Sequence, residues 1–554
     1  MTDYDSATAF LGEWGRFQKQ VFYLLCLRAI PCGYTALSVV FLAGSPHHHC
    51  LVPPQANLTP AWENSSIPLE ERSGGGAPER SFCSRYKLTE VQRFSDRGLL
   101  PADVNWSTVA TEGCLDGWQY DQSIYASTVV SEWDLVCDYK WKKPLTTSVF
   151  FCGVLSGAFI CGQLADRYGR KLMVFVGMGI HAVSNFLLIF SPSWTFFCCM
   201  YFLVGLGNTF SYSSTFVLGS ELLSPRLRKT FATLGVNLGF AVGYMMLPLL
   251  AFLIRDWRML LVALALPNLL YIPFWWYIPE SPRWLVSCGK IEEAEAIIRA
   301  AAKKNNVKPP TVIFTPLQKD IQSPPRSPPN ICELVSSRNV CGISVTLWLL
   351  WPTVTITYLG VSLNTGNLHG NAFLNCFLSA LVEIPAYFLS WVFFRWCSRR
   401  VTVFSTLCMA GMFLLIIQLI PSELIYVAIG LEMMAKFAVT VAFSIVYGYT
   451  VELYPTVLRT TALGSCSMMG KIGSIVAPYF IYLRSYSVSL PYILIGCLAV
   501  LLALLSLLLP ESHGKPLPDL LDQMQSFPGC RKKQYRLTST REKEDTAERA
   551  SPAN

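Results

Sequence analysis

Gly162-Gln163-Leu164-Ala165-Asp166-Arg167-Tyr168-Gly169-Arg170-Lys171 is a knot of charge between two apolar runs, residues 145–165 and 172–192. Each run is long enough to cross a hydrocarbon core of ~30 Å as a helix, and neither could hold these charges at its centre. The knot is therefore a tight loop at a membrane face. The two runs are antiparallel helices joined by it.

The rest of the chain repeats the pattern. With 52% hydrophobic and 14% charged residues and a mean hydropathy of +0.39, the 554 residues lie far outside a soluble globular composition. Runs of spanning length fall near 21–43, 145–165, 172–192, 197–219, 230–253, 259–279, 341–363, 372–394, 401–420, 424–449, 461–482 and 490–509, which predicts an all-α membrane protein with twelve transmembrane helices. No charged leader with a cleavage site precedes the first run, so it reads as a retained helix.

Basic residues in the short loops set the sidedness. Arg167, Arg170, Lys171, Arg226, Arg228, Lys229, Arg395, Arg399, Arg400 and Arg459 share one side, against Arg255, Arg258 and Arg484 on the other. The first side is expected to be cytoplasmic and to hold both termini, 1–20 and 511–554. The net charge of +8 is mostly this bias and the basic tail, so it does not argue for nucleic acid.

Residues 44–144 form the one large outward loop. It holds the three N-x-S/T sequons at Asn57, Asn64 and Asn105, with Pro60 weakening the first. It also holds Cys50, Cys83, Cys114 and Cys137, which predict two disulfides in any of three pairings. The run His47-His48-His49 reads as incidental, and no metal site is expected. Residues 280–340 form a linker on the opposite side. Its Ile291, Ala294, Ile297, Ile298 and Ala301 share a helical face, and Glu295 and Arg299 pair at i, i+4. Ser323–Pro329 and the tail from about 511 read as flexible.

An internal repeat divides the spans into 21–279 and 341–510. Glu221-Leu222 with Leu227-Arg228 recurs as Glu452-Leu453 with Leu458-Arg459, and Pro279-Glu280-Ser281 recurs as Pro510-Glu511-Ser512, both at an offset of 231. Two six-helix bundles in one orientation follow, with a cavity between them. The charge knot recurs only faintly, as Arg395 with Arg399-Arg400.

The pattern G-x-x-x-D-R-x-G-R-K resembles the loop between the second and third helices of major facilitator transporters. The resemblance implies the major facilitator fold and alternating access. It makes Asp166, Arg167, Arg170, Glu221, Arg228, Glu452 and Arg459 a gate that pairs across the gap between the halves. Further stretches narrow it: Ser131-Glu132-Trp133-Asp134-Leu135-Val136-Cys137, Pro279 to Leu285, Glu452-Leu453-Tyr454-Pro455-Thr456, Arg255-Asp256-Trp257-Arg258-Met259 and Asn367-Leu368-His369-Gly370. Together they are similar to the organic ion transporters, and within these to the organic cation/carnitine branch. That branch implies a plasma-membrane carrier of small zwitterions or organic cations. Organic anion exchange, a polyspecific cation facilitator and a non-transport receptor or adhesion role are the alternatives.

Ionisable residues inside spans are the places to seek chemistry. Lys471 lies about ten residues into the eleventh span, roughly 15 Å deep and near the midplane. The resemblance makes it the partner of a substrate carboxylate. A quaternary ammonium needs aromatic faces, and Tyr212, Tyr358, Phe443, Tyr447 and Tyr449 are candidates. Asn208 and Ser211 complete the expected substrate site. Glu383 is a candidate for a cationic group or a coupling proton, and Glu432 and Lys436 are spaced to neutralise each other at i, i+4. Arg28 either adds charge to the cavity or snorkels to the near face about 12 Å away, which is favoured.

Departures from the branch pattern bear on substrate and coupling. Cys32 stands where the branch has an asparagine linked to sodium dependence, which leaves sodium or proton as the coupling ion. Asn208 and Ser211 replace its glutamine and asparagine. Gly219 to Arg226 ends in Pro225-Arg226 where a phosphate loop needs Lys-Ser/Thr, so no nucleotide site or other cofactor is expected. The implied partners are the substrate and membrane lipid.

Overall fold

The computed structural model describes residues 4–70, 79–311, 313–314, 331–335, 337–368, 370–421, 423–455, 458–515, 518, 524–525 and 527. The Ser323–Pro329 stretch, His369, Thr456 and most of the tail from 511 lie outside them. Twelve long helices dominate, labelled in chain order: α1 Arg16–Leu37, α2 Lys142–Tyr168, α3 Arg170–Ile189, α4 Trp194–Leu222, α5 Val236–Leu253, α6 Trp257–Leu270, α7 Arg338–Asn364, α8 Ala372–Trp396, α9 Arg399–Ile416, α10 Ile425–Leu453, α11 Arg459–Tyr482 and α12 Leu490–Ser506. With their short extensions, ten are long and apolar enough to cross a membrane; α4 is long but more polar, and α12 has 17 residues. Large apolar side chains such as Phe186, Leu253, Trp276 and Leu419 are more than half exposed, as a lipid-facing surface requires.

Local chemistry explains the joints. Gly169 separates α2 from α3 with φ of 108°, a conformation costly for a side chain, and a Cβ there would lie 2.5 Å from Glu280 Oε2. Asp256 and Asn371 cap α6 and α8 by accepting backbone N–H bonds. Gly243 lets α5 approach α1 so closely that a Cβ would meet the Ile30 carbonyl at 2.0 Å.

The loop adds three small antiparallel ladders to the otherwise helical fold: His48–Cys50 with Trp118–Tyr120, Leu69–Glu70 with Glu79–Arg80, and Ser84–Tyr86 with Thr111–Gly113. Of the three disulfide pairings, it adopts Cys50–Cys114 and Cys83–Cys137. Arg85 is 2% exposed at its centre and is neutralised by Glu112 at 3.0 Å and Asp116 at 2.6 Å. Asn57, Asn64 and Asn105 are exposed. Two stretches read separately from the sequence meet here: Glu132 accepts from Trp257 Nε1 at 2.7 Å and pairs with Arg258. That contact fixes the loop to the start of α6.

At the opposite, basic face the linker helix Ile291–Lys304 buries Ile298, Ala301 and Ala302 against Leu11 and its neighbours, and Ala294 is buried too. The expected Glu295–Arg299 pair forms at 2.9 Å.

Candidate functional site

The two halves meet mainly toward the loop face, and their contacts repeat. Ser148 of α2 donates to the Ile475 carbonyl of α11 at 2.7 Å, and Tyr244 of α5 donates to Ser379 Oγ of α8 at 3.1 Å. Ser148 and Ser379 stand 231 residues apart, as do Tyr244 and Ile475. The repeat offset therefore governs the seam between the bundles. Phe41 stacks on Phe373 at 5.3 Å further toward the loop face.

The gate residues gather at the basic face in two clusters. Arg170 binds Asp166 at 2.8 Å and Glu221 at 3.4 Å, and Glu280 accepts from the N–H groups of Arg170 and Lys171 at the start of α3. In the second half Arg399 binds Glu452 at 3.2 Å, and Glu511 accepts from the N–H groups of Arg399 and Arg400 at the start of α9. Each carboxylate meets the positive end of a helix dipole. Burial pushes the Glu511 carboxyl up, but hydrogen bonds from Ser398 Oγ and from the His513, Arg399 and Arg400 N–H groups outweigh it and hold it below the ordinary carboxylate range.

Two expectations about the gate change. The pairs Asp166–Arg170, Arg170–Glu221, Arg228–Asp5 and Arg399–Glu452 each stay within one half instead of crossing the gap. With the seam made at the loop face, the basic-face ends are not drawn together. The faint second copy is also nearly complete, since Arg399 reproduces the Glu contacts of Arg170. Among the described residues Arg459 reaches the Tyr454 carbonyl, and Arg167 lies over Tyr168.

Between these layers is an aromatic wall. The Phe443 and Tyr447 rings pack on Trp351 at 6.1 and 5.8 Å, Tyr358 stacks on Phe443 at 5.9 Å, and Phe216 of the other half meets Tyr447 at 6.3 Å. Tyr447 is 37% exposed, so the wall has an open side. Trp351, which the sequence reading missed, holds the wall together. Its Nε1 donates to Thr450 Oγ1 at 3.1 Å, and its ring edge lies 3.0 Å from a Cβ built at Gly470. Gly470, the residue before Lys471, is thus packed against the wall. Tyr212 lies within electrostatic reach of Tyr447. Tyr449 does not join them; it is fully buried and donates to the Pro510 carbonyl at 2.6 Å.

Lys471 is half-buried on the face of α11 that also carries Ile475, one turn away, and that face meets α2 of the other half. It makes no ion pair or hydrogen bond among the described residues. Lys436 is its opposite. It is fully buried, pairs with Glu383 at 2.8 Å, bonds Ser362 Oγ, and sits 3.3 Å from the Tyr358 ring centre. The expected Glu432–Lys436 neutralisation is not formed, because the Tyr358 and Tyr387 hydroxyls position Glu383 while Glu432 is held by Asn364 and Tyr492. Glu383 is thus enclosed and fully partnered in this conformation.

Asn208 and Ser211 are buried in α4, and among the described residues Asn208 Oδ1 and Ser211 Oγ have no hydrogen-bond partner. Cys32 Sγ donates to the Asn208 carbonyl at 3.9 Å. Arg28 does not snorkel. It is 2% exposed and folded back on Cys32 and Tyr271, inside the first bundle.

These features have relatives. The family profile for sugar (and other) transporters matches residues 117–522. The chain is 49% identical to mouse organic cation/carnitine transporter 2 over 551 residues, covering 99% of this chain and 98% of that one. It is 50% identical to the human protein of that name over 533 residues, covering 96% and 95%, and 49% identical to mouse solute carrier family 22 member 4 over 533 residues, covering 96% of each. Among solved structures, the inward-open xylose transporter XylE from E. coli matches with a TM-score of 0.58 at 13% identity, covering 92% of this chain and 100% of that one. A multi-pass chain with two repeated bundles, full-length likeness to carriers and that fold is a membrane transporter: it belongs to the sugar (and other) transporter family of the major facilitator superfamily, among the organic cation/carnitine transporters.

Proposed function

We propose that the protein is a secondary transporter of small zwitterions, holding a carboxylate at Lys471 and a quaternary or tertiary ammonium against Trp351, Phe443 and Tyr447. The observation that carries the proposal is the contrast between its two central lysines. Lys436 is already neutralised by Glu383, whereas Lys471, which follows the Gly470 that packs on Trp351, has no ion pair or hydrogen bond among the described residues. Ammonium on aromatic faces and carboxylate on a cation are complementary to the two ends of a carnitine-like molecule. The relatives named organic cation/carnitine transporter 2 fit this substrate class.

Organic anion exchange would be favoured if Arg28 and Lys471 shared one cavity. Arg28 instead turns into the first bundle, which removes the second charge such substrates would need. A facilitator of simple cations would meet Lys471 as a repulsive element. We place the carrier in the plasma membrane with both termini cytoplasmic and the exposed sequons glycosylated. In the alternating cycle the paired contacts Ser148–Ile475 and Tyr244–Ser379 break as the loop face opens, while Asp166, Arg170 and Arg399 with their glutamates hold the ends of each half rigid. Coupling is to sodium or protons, and Cys32 weakens the sodium share. Competition uptake in proteoliposomes with carnitine, ergothioneine, tetraethylammonium and a dicarboxylate, with and without sodium, tests the assignment. Strong competition by the dicarboxylate and none by the zwitterions would overturn it.

A further inference from the structure

Glu432 is a buried carboxylate that substrate binding at Lys471 leaves unused. It is 2% exposed on α10, about 10 Å in from the loop-face end of that helix at Ile425, and no cation pairs with it among the described residues. Two neutral groups hold it in a closed ring. Asn364 Nδ2, at the end of α7, donates to Glu432 Oε1 at 3.1 Å and to the Tyr492 hydroxyl of α12 at 2.6 Å, and that hydroxyl donates to Glu432 Oε2 at 3.2 Å. Every donation in the ring runs toward the carboxylate, as an ionised acceptor requires. A proton arriving on either oxygen would face a hydrogen already aimed at it, so Asn364 or Tyr492 must turn away to admit it. Burial opposes the ionised form and the two donors favour it, so the two states compete.

Other charges nearby leave that competition open. Arg484, in the turn after α11, is within electrostatic reach but forms no ion pair among the described residues. Lys436, one turn along α10, faces Glu383 and Cys376 of α8. Lys471 lies on the α11 face that meets α2, Arg399 and Arg400 of α9 are at the basic face, and Glu423 ahead of α10 is exposed.

The ring lies beneath the loop-face seam. Asn364 leads into the turn Thr365–Asn367, where a Cβ built on Gly366 would lie 3.4 Å from Val40 of the first half, and Phe41 beside Val40 stacks on Phe373. Nearer the middle of α7, Ser362 is bonded to Lys436, so loss of the ring frees only the end of α7 and that turn.

We infer that Glu432 is a proton-operated latch on the loop face: ionised, it fixes the end of α7 against the first half, and protonated, it releases Asn364 and lets the seam open. A fall in pH on the loop side therefore favours the loop-open state, whichever substrate is carried.

The test is hydrogen–deuterium exchange of the purified full-length protein in lipid nanodiscs from about pH 8 to about pH 5, with labelling times scaled to the chemical exchange rate at each pH. Peptides over 362–368 and 36–44 should lose protection as pH falls, by about tenfold, the worth of one hydrogen bond to a charged group. Glu432→Gln, a stand-in for the protonated acid, should show the low-pH exchange at every pH. Tyr492→Phe removes one donor from the ionised form and should move the transition to higher pH, which decides the matter even if the glutamine variant does not fold. Protection in the parent that does not change with pH, a pH dependence that survives in Glu432→Gln, or a transition unmoved by Tyr492→Phe would overturn the latch. So would a glutamine variant that differs from the parent by the same factor at every pH, which would leave Glu432 a purely structural role.

Discussion

Glu383 and Lys436 should behave as one unit, and removing either alone should cost far more than removing both. At 2.8 Å and an effective dielectric near 20, their attraction is about 6 kcal/mol before desolvation is set against it. Glu383→Gln strands an ammonium in a fully buried position. Its escape is to lose the proton, which at neutral pH costs an ordinary lysine about 5 kcal/mol and so bounds the loss. Lys436→Met strands the carboxylate, which keeps the Tyr358 and Tyr387 hydroxyls and can take up a proton at a cost of about 4 kcal/mol. The double variant leaves neither charge, and a shape-matched neutral pair is often close to neutral in stability. The assay is a double-mutant cycle on unfolding of the purified protein, with surface abundance alongside. Glu383→Gln should be the worst of the three and the double variant the mildest. Additive losses would show that the two residues do not neutralise each other and would refute the reasoning.

Asp166 is largely exposed, so Asp166→Asn should cost at most about 1 kcal/mol of stability and leave surface abundance unchanged while slowing turnover; biotinylation beside uptake rate checks both. Glu511→Gln should destabilise at neutral pH. Because the folded carboxyl titrates below its unfolded value, its contribution is complete at neutral pH and is lost as pH falls below the ordinary carboxylate range and through the lower folded value, so unfolding curves of parent and variant should converge in strong acid. Cys32→Asn should increase the sodium dependence of uptake, measured with sodium replaced by N-methylglucamine. Arg85→Met should leave Glu112 and Asp116 without their shared partner and lower the surface yield through misfolding of the outer loop, read by reduction-sensitive mobility.

What could be read from the sequence followed local periodicity. The spans, the linker helix with its Glu295–Arg299 pair and the repeat at 231 are short-range or fixed-offset signals, and the structure has all three. Partners that lie on other helices were not legible. Spacing favoured Glu432 for Lys436, yet Glu383 of α8 takes that place because packing of α7, α8 and α10 brings it closer. Arg399 stands 229 and not 231 residues after Arg170, and that slip of two hides the second copy of the cluster in the sequence, although the two arginines hold the repeat-related glutamates Glu221 and Glu452. Trp351 lay within an apolar run, where one more aromatic carries no signal. Arg28 was legible as a charge in a span, but its direction depends on the Tyr271 ring and the Cys32 side chain that fold it inward.

The most direct test of the central claim is uptake of a zwitterion and of tetraethylammonium by the parent, Lys471→Arg and Lys471→Asp, corrected for surface expression. Two negative charges about 5 Å apart at an effective dielectric near 20 repel by about 3 kcal/mol, and the aspartate variant also loses the attraction it replaces. Zwitterion uptake should therefore fall by more than a hundredfold in Lys471→Asp, while tetraethylammonium uptake holds or rises. Lys471→Arg, with its bidentate fork, should keep zwitterion transport. Undiminished zwitterion uptake by Lys471→Asp would contradict the account, because the substrate carboxylate would then be held elsewhere.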